Sequence, residues 1–163
     1  MKHAAILRGI EDALDAEGYF ALLANTSRPE SRPGGQAAAQ AAVERMLAQR
    51  VEGFIVATAL RDDAWLEGLR QSGVRVVLVN RTNDAKTARA ALPAVTSDDM
   101  LGMRLAVDHL VALGHRRIAH LAGPASFSTG QARRLGFERA LQAHALQAAV
   151  GQLRLREAAL NSA

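Results

Sequence analysis

An open α/β fold built on a parallel sheet is the architecture this sequence predicts, and three observations predict it. Apolar runs of strand length alternate with amphipathic runs of helix length through most of the 163 residues. Glycines stand just beyond several of the helical runs, at Gly18, Gly73 and Gly114, where a left-handed C-cap is expected. The stretch Leu113 to Gly123, LGHRRIAHLAG, condenses a whole unit: the end of an amphipathic helix, a Gly-His turn and a short apolar strand stopped by Gly123-Pro124. In such a sheet, ligands lie beyond the carboxyl ends of the strands.

The elements follow in order. Residues Met1 to Ala16 read as a helix with Ile6, Leu7, Ile10, Ala13 and Leu14 on one side. Tyr19 to Ala24 reads as a strand ending in the polar Asn25-Thr26-Ser27, and the next residues, with Pro29, Pro33, Gly34 and Gly35, as a loop. An alanine-rich helix from Gln36 to Gln49 is anchored by Met46 and Leu47. GFIVAT, Gly53 to Thr58, is the next strand, followed by a helix from about Asp62 to Gln71 carrying Trp65, Leu66 and Leu69, with Asp62 and Asp63 as capping residues. VRVVLVNR, Val74 to Arg81, is the clearest strand, because valine and leucine dominate it and charge stands only at its ends.

A polar crossover to Ala91 leads to a short extended piece at Pro93-Ala94-Val95. Thr96, Ser97 and Asp98 are N-cap candidates for a helix whose apolar stripe is Leu101, Leu105, Leu110 and Leu113, with Ala106 and Val107. Ile118 to Ala122 forms the strand of the condensed unit, and a helix from about Gln131 to Ala143 offers Leu135, Phe137, Ala140 and Leu141 to a core. The tail from His144 reads as either helix or broken strand. No turn signal arbitrates between them.

Composition narrows the function. With no cysteine, disulfide and thiolate chemistry are excluded, and no run has the length or purity of a membrane span, so a cytoplasmic protein is expected. Twenty basic and sixteen acidic residues give a formal charge of +4, which permits a nucleic-acid partner, but the arginines are scattered and one Trp and one Tyr provide no aromatic interleaving. No hydrolase elbow, zinc-ligand spacing, phosphate loop or dinucleotide fingerprint is present, so neither metal nor cofactor is expected. Adjacent carboxylates such as Asp98 and Asp99 cannot converge as an acid-base pair on one helix face.

What remains is a set of polar groups at strand ends. Asn80 follows VVLV, where its amide could read a ligand hydroxyl or simply hydrogen-bond its own loop. Thr129 and Arg133 are four apart near a helix start and can share a face toward the crevice, Arg133 offering a fork that fits a carboxylate or paired hydroxyls. Phe127 could stack on a ligand or plug its loop into the core. His120, inside an apolar run, reads as a core histidine.

In their order these segments resemble the effector-binding domain of the LacI/GalR family of bacterial transcriptional regulators, whose fold is like that of periplasmic sugar-binding proteins. The matching stretches are RGIEDALDAEGY (8 to 19), VEGFIV (51 to 56), VVLVNR (76 to 81), SDDMLGMRLAVDHLVALGHRRIAHLAGP (97 to 124) and RRLGFERAL (133 to 141). The resemblance implies a parallel-sheet, three-layer sandwich of the periplasmic-binding-protein type, here incomplete. It divides the chain into a first effector-binding subdomain, residues 1 to 93, lacking its first strand, and the start of a second, residues 94 to 163. Arg133, three residues before Gly136, looks like the arginine that holds the effector, Asn80 stands at a strand-end reading position, and Thr129 and Phe127 fall at loop positions that vary with effector. Asp98 matches the Asp of the family's Asp-Asn pair, and Asp99 stands where the Asn would be.

The function so implied is sensing of a small molecule, a sugar or related polyhydroxylated metabolite, by part of a homodimeric regulator. DNA would be read only through a helix-turn-helix domain that lies outside this chain. No catalysis, cofactor or membrane contact is implied. The alternatives are a sugar-binding protein of a transport system, an enzyme of an open α/β fold, and a truncated fragment inactive by itself.

Overall fold

A computed structural model describes residues 2–24, 35–84 and 91–146, which form an α/β arrangement with a parallel sheet. The element order is α1 (Lys2–Ala16), α2 (Gly35–Ala48), β1 (Gly53–Val56), α3 (Ala64–Gln71), β2 (Arg75–Val79), β3 (Ala94–Val95), α4 (Asp99–Ala112) and α5 (Ser128–Ala143). The expectations for Asn25 to Gly34, for most of the crossover before Ala91 and for the tail beyond Leu146 lie outside the described residues. Two compact units make up the chain, Met1–Glu52 and Gly53–Ala163.

In the first unit α1 carries Ile6, Leu7, Ile10 and Leu14 half-buried, the face that the periodicity predicts. Gly18 closes it at φ 77, and Tyr19 N–H donates to the Leu14 carbonyl at 2.9 Å. Residues 19–24 correct the sequence reading, because they run as irregular chain and not as a strand, with Phe20 92 % exposed and Leu23 73 % exposed. A parallel strand exists only as a pair, and no described strand lies beside this one to receive its hydrogen bonds. In α2, Ala42 is buried and Val43, Met46 and Leu47 are half-buried.

The second unit is organised on a three-stranded parallel sheet in the order β1-β2-β3. Gly53 pairs with Arg75 and Val56 with Leu78, and β3 then joins β2 through Leu78 opposite Ala94. Alternate residues are buried: Phe54 and Val56 on β1, Val76 and Leu78 on β2, with Leu78 wholly inaccessible. Leu66 and Leu69 of α3 are buried as well, and α3 packs on β2. Each such aliphatic side chain withdrawn from water contributes about 1.5–3 kcal/mol. The other side is less covered, since Ile55 is 46 % exposed, whereas a fully sandwiched sheet would bury both faces.

Asp63 does precede α3 as its N-cap residue, but its carboxylate accepts from Leu60 N–H at 2.7 Å and not from a backbone N–H of the helix. Burial is the main reason that this carboxyl sits above the usual range. Asp98 is the cap of α4 and accepts from Leu101 N–H at 2.8 Å, while Gly114 ends that helix at φ 88.

Helices α4 and α5 pack against each other over Val107, Phe137, Ala140 and Leu141, with Met103, Val111, Ile118 and Leu146 around them. Gly136 makes the approach possible, because a Cβ there would stand 2.9 Å from the Met100 Cα. The leucine stripe expected on α4 is thus not its buried face. Leu101, Leu105 and Leu113 are exposed, and the residues turned to α5 are Val107, named with that stripe, together with Met103 and Val111, nearly opposite the exposed leucines on the helix. Likewise Leu135 is 38 % exposed while Phe137, Ala140 and Leu141 are buried. Residues 118–122, expected as a strand, are irregular, with Leu121 67 % exposed.

Candidate functional site

Three chain segments meet where the sheet ends: 57–63 after β1, 80–84 after β2, and 123–127 leading into α5. The first two are placed by the parallel pairing itself, which brings both strands to the same edge. Arg61 ties all three. Its Nε donates to Asp84 Oδ1 at 3.1 Å and its Nη2 lies 2.6 Å from Oδ2, a two-pronged pair, while Nη1 donates to the Ala125 carbonyl at 3.1 Å. The backbone repeats the connection, Arg61 N–H donating to the Ser126 carbonyl at 2.9 Å and Asp84 N–H to the Arg61 carbonyl at 2.7 Å. Thr82 N–H adds a bond to Ser128 Oγ at 2.9 Å.

The start of α5 is held against the preceding turn by Gly130, where a Cβ would overlap the Pro124 carbonyl oxygen. Only glycine allows that approach. It fixes Phe127, Ser128 and Thr129 in front of the strand ends, and Thr129 is buried there. Arg81, leaving β2, donates through Nη1 to Thr129 Oγ1 at 2.7 Å and to the Asn80 carbonyl at 3.1 Å, with its guanidinium carbon 4.5 Å from the centre of the Phe127 ring. One turn further along α5, Arg133 Nε donates to Asp99 Oδ1 at 2.7 Å. The Asp99 side chain is only 11 % exposed, against 44 % for Arg133.

Of the residues singled out from sequence, Thr129 and Phe127 are brought together by Arg81, and Arg133 lies on the same helix face within electrostatic reach of it. Asn80 enters through its backbone, its N–H donating to the Val95 carbonyl at 2.7 Å and its φ at 56. Asparagine tolerates that left-handed conformation better than most residues, which is a reason of its own for an Asn at the strand end. His120 stacks on Phe137 with ring centres 5.1 Å apart, as a core histidine does.

Arg81 and Arg61 are not among the residues singled out from sequence, and Asp99 enters there only beside Asp98, at the position of the family's Asn. Arg81 contacts Thr129 across 48 positions of sequence and Arg61 contacts Asp84 across 23, distances over which no periodicity speaks. The one available signal was the placement of Arg81 directly after an apolar strand.

Positive charge dominates the cluster. Burial first, and the neighbouring Arg133 cation second, pull the Arg81 guanidinium below the usual arginine range, and Asp99 opposes them. Burial and the same Arg133 hold the His120 imidazole below the usual histidine range. Arg81 Nε is buried without a hydrogen-bond partner among the described residues. Forked donors beside an aromatic face suit recognition of hydroxyl and carbonyl oxygens.

Residues 3–159 match the family described as periplasmic binding proteins and sugar binding domain of the LacI family. The chain belongs to this family. Among curated relatives, the HTH-type transcriptional regulator MalR of Streptomyces coelicolor is 34 % identical over 143 residues, which is 85 % of this chain and 39 % of that protein. Among solved structures, a transcriptional regulator CelR–cellobiose complex superposes with a TM-score of 0.72 at 29 % identity, over 88 % of this chain and 41 % of that one. The Lac repressor bound to ONPG in its repressed state gives 0.70 at 29 % identity, over 89 % and 42 %. The chain thus spans about two fifths of the length of the curated relatives it matches.

Proposed function

We propose that this family member forms part of the effector pocket of a sugar-responsive transcriptional regulator, acting by recognition and not by catalysis. The observation that carries the reading is the convergence of Arg81, Phe127, Thr129 and Arg133 where the sheet ends. Arg133 supplies a charge-assisted donor, the Phe127 ring a stacking face, Thr129 a hydroxyl close to both, and Asn80 an amide at the strand end. The lobes of such a sensor would divide near residue 93, so that the 57–63 and 80–84 segments belong to one lobe and α5 to the other. A ligand held by both would bias their relative orientation. In the complete regulator that bias would reach DNA through a helix-turn-helix module outside these 163 residues, in a homodimer.

The titration that tests this follows the melting temperature of the chain across a panel of mono- and disaccharides. One compound is expected to raise it, by about 2.7 kcal/mol of stability at a hundredfold excess over Kd, and Arg133→Ala to abolish the rise. A panel without effect, or a rise that survives the substitution, would contradict the proposal.

A further inference from the structure

The charge of the cluster points beyond a neutral sugar. Two guanidinium groups share the cluster: Arg133, paired with Asp99, and Arg81, which has no ion pair with a carboxylate among the described residues and feels the Arg133 cation beside it. Arg61 offers no relief to that balance, because its own charge is matched by Asp84. Asp99 occupies only the Nε of Arg133 and leaves both Nη groups of that side chain without a partner among the described residues. Arg81 spends Nη1 on Thr129 and Asn80, while its Nε is buried and unbonded among the described residues. Buried donors without acceptors are rare, because the lost hydration is not repaid. A neutral hydroxyl could meet the open Nη groups of Arg133 but would leave the surplus cation.

We propose that the effector of this site is an anionic polyhydroxylated metabolite, a sugar acid or a sugar phosphate, whose acidic group is taken by the Nη groups of Arg133 and the outer Nη2 of Arg81 while its hydroxyls meet Thr129. The inference rests on the sensor reading given above and narrows its ligand class. A carboxylate and a phosphate monoester both present coplanar or clustered oxygens to a guanidinium fork, so the two sources share one chemistry. The Phe127 ring, already under the Arg81 guanidinium, limits where the anion can enter and favours the edge of the fork over its face.

The test is calorimetric titration of the chain with matched pairs that differ only in the charged group: glucose against gluconate, galactose against galacturonate, and glucose against glucose 6-phosphate, with inorganic phosphate alone as a further arm. The charged member of at least one pair is expected to bind tenfold or more tighter than its neutral partner, the acid and phosphate arms identifying the source. That preference should shrink with added salt and fall at least about tenfold in Arg133→Gln, the size of one lost charge-assisted hydrogen bond. Arg81→Lys, which keeps the charge but loses the fork, should weaken the anion with little change for the neutral sugar.

If a neutral sugar binds as tightly as its charged counterpart, the anionic class is overturned and the sensor reading stands. If no member of any pair binds, both fail. If the anion binds with undiminished affinity to folded Arg133→Gln and Arg81→Lys proteins, or no better than inorganic phosphate alone, the placement at this cluster is overturned.

Discussion

At the scale of single residues, one close approach and one imidazole have measurable consequences. Gly136 sits where α4 and α5 nearly touch, and a methyl group there meets the Met100 backbone at 2.9 Å and the Met103 Cβ at 3.2 Å. Backbone cannot swing aside as a long side chain can, so Gly136→Ala should cost about 1–3 kcal/mol in urea denaturation. An unchanged midpoint would mean that the helices pack less closely than described. For His120, burial and Arg133 lower the pKa from its ordinary 6.5, so between the lowered value and 6.5 the unfolded chain binds more protons than the folded one. The histidine's contribution is therefore complete above pH 6.5 and is lost as the pH falls through the folded value. The melting temperature should drop between pH 7.5 and pH 5, and His120→Gln should show a smaller drop. Equal pH slopes would show that the imidazole is not shielded.

Where the sheet ends, loop chemistry joins the elements of the second unit. Arg61 bridges the exits of β1 and β2 and the turn before α5, and its Asp84 partner is half exposed. Solvent screening keeps such a pair modest, so Arg61→Ala should cost roughly 0.5–1.5 kcal/mol of stability. Its larger effect should be local. Amide exchange across 81–84 and 123–128 is expected to accelerate in the variant, with β2 unchanged. Equal acceleration in β2 would show that the bridge supports the whole sheet and not the loops alone.

The sequence made most helices legible at this scale, because their start and stop signals are local: Asp98 caps α4, Gly114 ends it, and Leu66 and Leu69 are buried in α3 as their spacing predicts. It misjudged which stripe of α4 is inside. Leucines at helical spacing define a face, but Gly136 decides which face α5 can reach. That Arg133, Thr129 and Phe127 stand near one another at the start of α5 was legible from their spacing, whereas Arg81 and Asp99 join the cluster only through contacts distant in sequence.

For the whole molecule, the difference between composition and structure is sharpest at 19–24 and 118–122. Both stretches have the apolar character of strands, and both are irregular with large side chains exposed. Strand propensity describes fitness for a paired and half-covered surface, so without a neighbouring ladder it produces none. Hydrogen exchange should therefore be fast across both stretches and slow in β2, whose Leu78 and Asn80 amides donate to β3 and its approach at 2.8 and 2.7 Å. Slow exchange at 19–24 would place a pairing partner there.

The receptor surface itself is tested most directly by a crystal structure of the chain with whichever panel compound raises its melting temperature. The account predicts the ligand beyond the ends of β1 and β2, with an oxygen within about 3.2 Å of an Arg133 Nη and a ring or carbon face against Phe127. A ligand bound elsewhere, with the Arg133–Asp99 and Arg81–Thr129 contacts untouched, would contradict it.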